Sequence, residues 1–267
     1  MREKGITGFQ LKLIGLLLMI FDHIHEFFNY NNAIPIGFKC VGRIVAPIFI
    51  FMTVEGYTHT RNKKKYMLRL FLGSIVMNLG NFILPRYFER TDNVALMNNI
   101  FATLFLITVY LCIVDFIKKA LSEKNILKIF GGIILFIAPF AVGMGLVMLM
   151  SQTIAAVYLA LIIPTPMFVE GGIMFIVIGI VMYLLKERKN IMLAAYSAIS
   201  IAIMFTGEIS IQKLFTQNFQ WMMLFAAPLI YLYNGKKGKG MKYLFYVFYP
   251  AHIYLFFIIS SFMMKNM

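Results

Sequence analysis

Long apolar runs separated by short polar connectors set the pattern of this chain. Stretches of spanning length run from 10 to 30, 36 to 57, 66 to 84, 97 to 117, 128 to 149, 170 to 185, 191 to 207, 219 to 234 and 243 to 263. Each approaches the roughly 20 residues that an α-helix needs to cross a hydrocarbon core of about 30 Å. A further apolar piece, 150 to 166, is shorter and closed by Pro164 and Pro166, and reads as either a tenth span or a re-entrant segment. The predicted fold is therefore all-α and polytopic, with nine or ten transmembrane helices in one bundle and residues 1–267 forming a single membrane domain.

Composition supports this reading. With 61% hydrophobic and 13% charged residues, the chain has too little polar surface for a soluble domain. The net charge of +14 would suit a nucleic-acid partner only if the basic residues shared a face. They fall instead in short connectors, where they act as topology signals, so no nucleic-acid partner is expected.

The clusters are Arg2, Lys4 and Lys12; Arg61 and Lys63 to Lys65; Lys118, Lys119, Lys124 and Lys128; Lys186, Arg188 and Lys189; and Lys236, Lys237, Lys239 and Lys242. A cytoplasmic amino terminus with nine spans puts all five inside. A full crossing by 150 to 166 would put the last two outside, so charge parity favours a segment there that does not cross. The first apolar run lacks a small-residue cleavage site and carries Asp22 and His23, and reads as a retained helix and not a signal peptide. Cys40 and Cys112 lie in different spans without metal-ligand spacing, and no metal site is expected.

Ionisable residues inside the spans change the picture. Asp22, His23 and Glu26 interrupt the first run, Arg43 and Glu55 the second, and His252 the last. Such residues cost about 2.5 to 3.5 kcal/mol each near a bilayer centre, so they need partners or a polar cavity. At 1.5 Å of rise per residue, His23 lies about 16 Å beyond Lys12 and His252 about 15 Å beyond Lys242, so the two helices can bring both imidazoles to one cavity. Adjacent residues on a helix diverge by about 100°, so Asp22 is turned away from His23 and towards Arg43, whereas Glu26 shares the face of His23. Tyr246 and Tyr249 share the stripe of His252, and their hydroxyls suit orienting a ring or meeting a developing oxyanion. The competing account is an interfacial aromatic belt, for which Tyr249 lies too deep.

The connector after the second run carries Glu55, Thr58, His59, Thr60, Arg61, Asn62, Lys63, Lys64, Lys65 and Tyr66, with Arg69 one turn into the next helix. Lysines there are ordinary topology anchors. The guanidiniums of Arg61 and Arg69 add bidentate hydrogen bonding suited to phosphate, as on coenzyme A. Glu170, followed by Gly171 and Gly172, opens a later span, where an acid is favoured by the helix dipole. A P-loop, a G-x-S-x-G elbow, an H-E-x-x-H pair and a dinucleotide glycine fingerprint are all missing from the sequence.

Several stretches together resemble the TraX family, named for the membrane acetylase of conjugative F pilin. They are the Asp22-His23 helix, Gly42-Arg43 through Ala46-Pro47-Ile48-Phe49, Glu55-Gly56-Tyr57-Thr58-His59-Thr60-Arg61, and Tyr66 with Arg69-Leu70. Near the end come Tyr233-Asn234-Gly235-Lys236-Lys237-Gly238, Lys242 to Tyr246, and Phe248-Tyr249-Pro250-Ala251-His252. The chain departs from the family at Glu170-Gly171-Gly172, where an Asp-Tyr-Gly-like element would be expected.

The resemblance implies a multi-pass acyltransferase of the bacterial cytoplasmic membrane that uses acetyl-coenzyme A to modify a peptide or cell-envelope acceptor. On that expectation the coenzyme phosphates meet Arg61, Arg69, Lys63, Lys64, Lys65 and Tyr66. His23 or His252 is the base, His23 being preferred with His252 orienting substrate or stabilising the intermediate; a covalent acetyl-histidine route is the alternative, and Asp22 is held by Arg43. Glu26, Glu55, His59, Glu170, Tyr246 and Tyr249 would support the site. The competing expectation is a proton-coupled transporter or flippase using the same midplane histidines and acids. Discontinuous helices in two repeated halves would favour it, and no such repeat is visible.

Overall fold

A computed structural model of the chain describes residues 5–92, 94–206, 210–240 and 242–265. Arg2 and Lys4 of the first basic cluster lie outside the described residues. Almost every element is helical. In order they are α1 (Gly8–Phe28), α2 (Gly37–Gly42), α3 (Val45–His59), α4 (Lys63–Ile83), α5 (Ile100–Ser122), α6 (Ile126–Met150), α7 (Ile154–Ile162), α8 (Gly172–Leu184), α9 (Lys189–Met204), α10 (Ile211–Thr216), α11 (Ala226–Leu232) and α12 (Lys242–Lys265). Short 3-10 turns occupy Asn29–Asn31, Leu84–Arg86 and Gln220–Phe225.

Local sequence explains several of the boundaries. Thr7 and Gln10 form a reciprocal capping box at the start of α1: Gln10 N donates to Thr7 Oγ1 at 3.3 Å, and Thr7 N donates to Gln10 Oε1 at 2.8 Å. Asn99 and Asn125 cap α5 and α6 in the ordinary way, accepting from the backbone N–H three residues on at 3.1 and 3.0 Å. The second apolar run is divided into α2 and α3 because Pro47 has no N–H to offer the carbonyl of Arg43, and its ring crowds that carbonyl.

Among the described residues, five helical stretches are long and apolar enough to cross a membrane: Gly37–His59, Lys63–Arg86, Ile100–Ser122, Ile126–Met150 and Tyr243–Lys265. The chain is an all-α membrane protein. α1 has the length but carries Lys12, Asp22 and Glu26. Gly172–Leu184, Lys189–Met204 and Gln220–Leu232 are shorter apolar helices of 10 to 17 residues. The segment 150 to 166 folds as the nine-residue α7 packed against α6. Nine residues rise only about 14 Å, less than half of a hydrocarbon core.

The chain divides into two compact units. The first gathers Met1–Met52, Gly80–Leu96 and Leu184–Met267; within it α1 packs on α2 and α12, and α9 on α11 and the Gln220–Phe225 turn. Its core includes Leu11, Phe27, Ile48, Tyr196, Met223 and Phe257. The second unit gathers Thr53–Leu79 and Met97–Tyr183, with α5 on α6 and α6 on α7.

Candidate functional site

The first unit buries the two histidines against each other. α1 and α12 run side by side in the same direction, as the ring contacts Phe9 with Phe245 and Phe27 with Phe257 show, each at 6.1 Å between centroids. Between those contacts His23 and His252 are 5% and 6% exposed, and His23 Nδ1 lies 2.7 Å from His252 Nε2. The depth match read from the sequence is thus a direct hydrogen bond.

The proton positions follow from the surroundings. His252 Nδ1 lies 2.7 Å from the carbonyl of Phe248, which only accepts, so Nδ1 carries the hydrogen and donates to it. In the neutral ring His252 Nε2 is then bare and accepts from His23 Nδ1–H. His23 Nε2 is left as the free lone pair of the dyad. Glu26 Oε2 lies 3.7 Å from that nitrogen, placed to approach it once it bears a proton.

Aromatic rings hold both imidazoles in place. Phe248 stacks on His252 at 4.8 Å, Tyr249 meets His252 edge-on at 6.0 Å and His23 at 6.5 Å, and Phe27 lies 6.1 Å from His23. Tyr249 is buried and belongs to this cage, whereas Tyr246 is half-buried one turn earlier.

Asp22, next in sequence to His23, turns away from it as helical geometry requires. Arg43 Nη2 donates to both of its carboxylate oxygens, at 3.0 and 2.9 Å. Arg43 also reaches the Lys39 carbonyl and Gln220 Oε1, both at 3.4 Å, and lies over the ring of Phe219 at 5.7 Å. Gly42 makes this approach feasible, because a Cβ there would sit 2.1 Å from Asp22 Cγ.

The remaining expected residues lie in the second unit. His59 Nδ1 donates to the Glu55 carbonyl at 2.9 Å and lies 3.8 Å from its carboxylate, a contact one turn apart on α3. Arg61, Lys64 and Lys65 are exposed around the α3 to α4 connector, Tyr66 packs its hydroxyl over Gly56, and Arg69 Nε caps the Lys65 carbonyl at 3.1 Å. The Lys63 ammonium, in the same connector, pairs with Asp115 at 2.6 Å. The carbonyl of Glu170 accepts from Thr103 Oγ1 at 2.8 Å, and Gly171 and Gly172 turn the chain there with φ of +71° and +51°.

Two arrangements escaped the reading of the sequence. Asp115 of α5 accepts from Tyr57 at 3.0 Å, from Lys63, and from the Tyr183 hydroxyl. An acid at the end of an apolar run, close to Lys118 and Lys119, is the sequence signal that could have found it. Arg90 and Asp92, in a polar connector, form an ion pair at 2.6 Å whose arginine side chain is only 3% exposed. The second unit also holds a cavity of about 490 Å³ walled by residues such as Phe71, Leu106, Pro139 and Val142, with no ionisable side chain. Among the described residues no group of three or more histidine, cysteine, aspartate or glutamate side chains gathers to hold a metal ion.

The chain is 27% identical to a Dichelobacter nodosus protein named probable fimbrial assembly protein FimC, serogroup H1, over 95% of this chain and 96% of that one. No solved structure matches the chain. The family model described as TraX protein matches residues 7–260, which include both histidines, the Asp22–Arg43 pair and the basic connector, and the chain belongs to the TraX family.

Proposed function

We propose that this chain is a membrane-embedded acetyltransferase that moves an acetyl group from acetyl-coenzyme A to an amine or hydroxyl acceptor. The observation that carries the reading is the buried His23–His252 hydrogen bond, whose only neutral arrangement leaves a basic lone pair on His23 Nε2. A neutral imidazole nitrogen held at a fixed position can take a proton from an attacking group and return it to the leaving group within one turnover.

In the proposed reaction the acceptor nitrogen or oxygen attacks the thioester carbonyl and gives its proton to His23 Nε2. The carbon–sulfur bond then breaks, and the departing thiolate recovers the proton from the imidazolium, leaving the acetylated acceptor and free coenzyme A. His252 keeps Nδ1–H of His23 engaged throughout, so the accepting nitrogen is always Nε2. Glu26, at 3.7 Å, offsets the transient positive charge.

Arg61, Lys64, Lys65 and Arg69 are the groups we assign to the coenzyme phosphates, which suit guanidinium and ammonium donors. The fimbrial assembly name of the Dichelobacter relative favours a fimbrial subunit as acceptor. In this reading the chain sits in the bacterial cytoplasmic membrane with its lysine-rich connectors in the cytoplasm.

The test is release of coenzyme A and acetylation of an acceptor peptide by the purified protein in detergent or nanodiscs, with acetyl-coenzyme A binding followed by calorimetry. Transfer that is lost in His23→Ala, with binding weakened in Arg61→Gln/Arg69→Gln, is the expected result. A dyad of this kind would also serve a proton relay. Proton movement across proteoliposomes with no binding of acetyl-coenzyme A would overturn the acetyltransferase in favour of a transporter.

A further inference from the structure

Arg90 occupies a position that the chemistry above leaves unexplained. Its side chain is 3% exposed and uses nearly all of its donors. Nε and Nη2 donate to the two oxygens of Asp92 at 2.9 and 2.6 Å, Nη2 also donates to the carbonyl of Phe27 at 3.1 Å, and Nη1 donates to the hydroxyl of Ser260. The Ser260 hydroxyl passes its own hydrogen to the carbonyl of Phe257 at 2.9 Å, which leaves its lone pairs for the arginine. The rings of Phe27 and Phe257 flank the guanidinium at 5.9 and 5.8 Å.

The placement of those acceptors gives the arrangement its meaning. Phe27 belongs to the last turn of α1, whose carbonyls have no partner within the helix, and it follows His23 by one turn. Ser260 follows His252 on α12 by eight residues, about 12 Å. One planar cation therefore fastens the ends of the two helices that carry the imidazoles, and the loop bearing Asp92 fixes the cation in turn.

We propose that Arg90 is a positioning residue for the histidine dyad: by bridging Phe27 on α1 and Ser260 on α12 it sets the spacing at which His23 and His252 share a hydrogen bond. Its part in catalysis rests on the acetyltransferase reading, but its part in geometry does not. Hydrogen-bonded separations are unforgiving. A lengthening of about 1 Å from 2.7 Å removes the bond, and with it the tautomer that bares His23 Nε2. Lysine cannot substitute, because an ammonium lacks the planar fork that meets three acceptors in fixed directions.

Two readouts test this, one independent of turnover. Nitroxide labels at Leu17→Cys on α1 and Val247→Cys on α12, both exposed positions, report the spacing of the helices by pulsed dipolar spectroscopy in a chain with Cys40 and Cys112 replaced by Ser. The expected result is one narrow distribution that broadens in Arg90→Gln, stays broad in Arg90→Lys and broadens partly in the milder Ser260→Ala. A control pair at Ile191→Cys and Tyr231→Cys, on α9 and α11, should not change.

In transfer assays kcat should fall at least tenfold in Arg90→Lys with the KM for acetyl-coenzyme A unchanged. An unaltered α1 to α12 distribution in both Arg90→Gln and Ser260→Ala would overturn the proposal, as would broadening of the control pair to the same extent. If the unmodified protein transfers no acetyl group, the acetyltransferase reading falls while the distance measurement still decides the role of Arg90.

Discussion

At the scale of single residues, direction within the histidine pair matters more than proximity. The chain of donors runs from His23 Nδ1 to His252 Nε2 and from His252 Nδ1 to the Phe248 carbonyl, so the two rings are not equivalent. Glutamine at 252 retains a side-chain acceptor for the His23 N–H and leaves the base in place. Glutamine at 23 removes the base. His23→Gln should therefore lower kcat by about a hundredfold or more, in keeping with the 10² to 10⁴ ascribed to general bases, while His252→Gln loses markedly less. His252→Ala should fall between them, because it frees the His23 ring and leaves a buried donor unmet. Steady-state rates for the three variants decide the point, and a larger loss in His252→Gln than in His23→Gln would reverse the roles.

The His23–His252 contact was legible in the sequence because each histidine could be measured from a lysine marking a helix end. The Asp22–Arg43 pair was legible because an acid and a base in neighbouring spans have few alternatives. Arg90 was not. In a connector reading Arg86-Tyr87-Phe88-Glu89-Arg90, only the folded chain shows which arginine is withdrawn from solvent.

Helices add constraints that no single side chain reveals. α1 and α2 approach so closely that a methyl group at Gly42 would lie 2.1 to 2.4 Å from three atoms of Asp22, and Asp22 is held from its other side by Arg43. Neither neighbour can retreat without breaking the bidentate pair. Gly42→Ala should lower the thermal unfolding temperature in detergent, as expected for overpacking of about 1 to 3 kcal/mol. Gly37→Ala, on the same helix with open space around it, should leave stability unchanged or slightly raised. Equal effects of the two substitutions would show that helix propensity and not contact governs the site.

Hydropathy located these elements well but not their ends. Pro47 divides the second run, and the turn at Gly171 and Gly172 starts α8 only at Gly172, which leaves it a short apolar helix of 13 residues. Both are backbone effects, visible as residue types in the sequence, whose exact consequence depends on where the chain must turn.

For the molecule as a whole, the question is which connectors share a face of the membrane. α6 is long enough to cross, α7 is not, and the polypeptide then turns at Gly171 into α8. The segment joining α6 to α7 and the segment before α8 should therefore lie on one side and the lysine-bearing connector after α5 on the other; charge asymmetry puts the connector after α8 with the latter, which requires the short α8, about 20 Å long, to cross together with its flanking residues. Single cysteines at Ser122, Gln152, Glu170 and Glu187, in a chain lacking Cys40 and Cys112, test this with a membrane-impermeant maleimide. Gln152→Cys and Glu170→Cys should label from one face, and Ser122→Cys and Glu187→Cys from the opposite one. If α7 crossed completely, Gln152→Cys and Glu170→Cys would label from opposite faces, and Glu187→Cys would part from Ser122→Cys. That outcome would carry the basic residues Lys186, Arg188 and Lys189 to the face away from Lys118 and Lys119, against the charge asymmetry that orients membrane proteins.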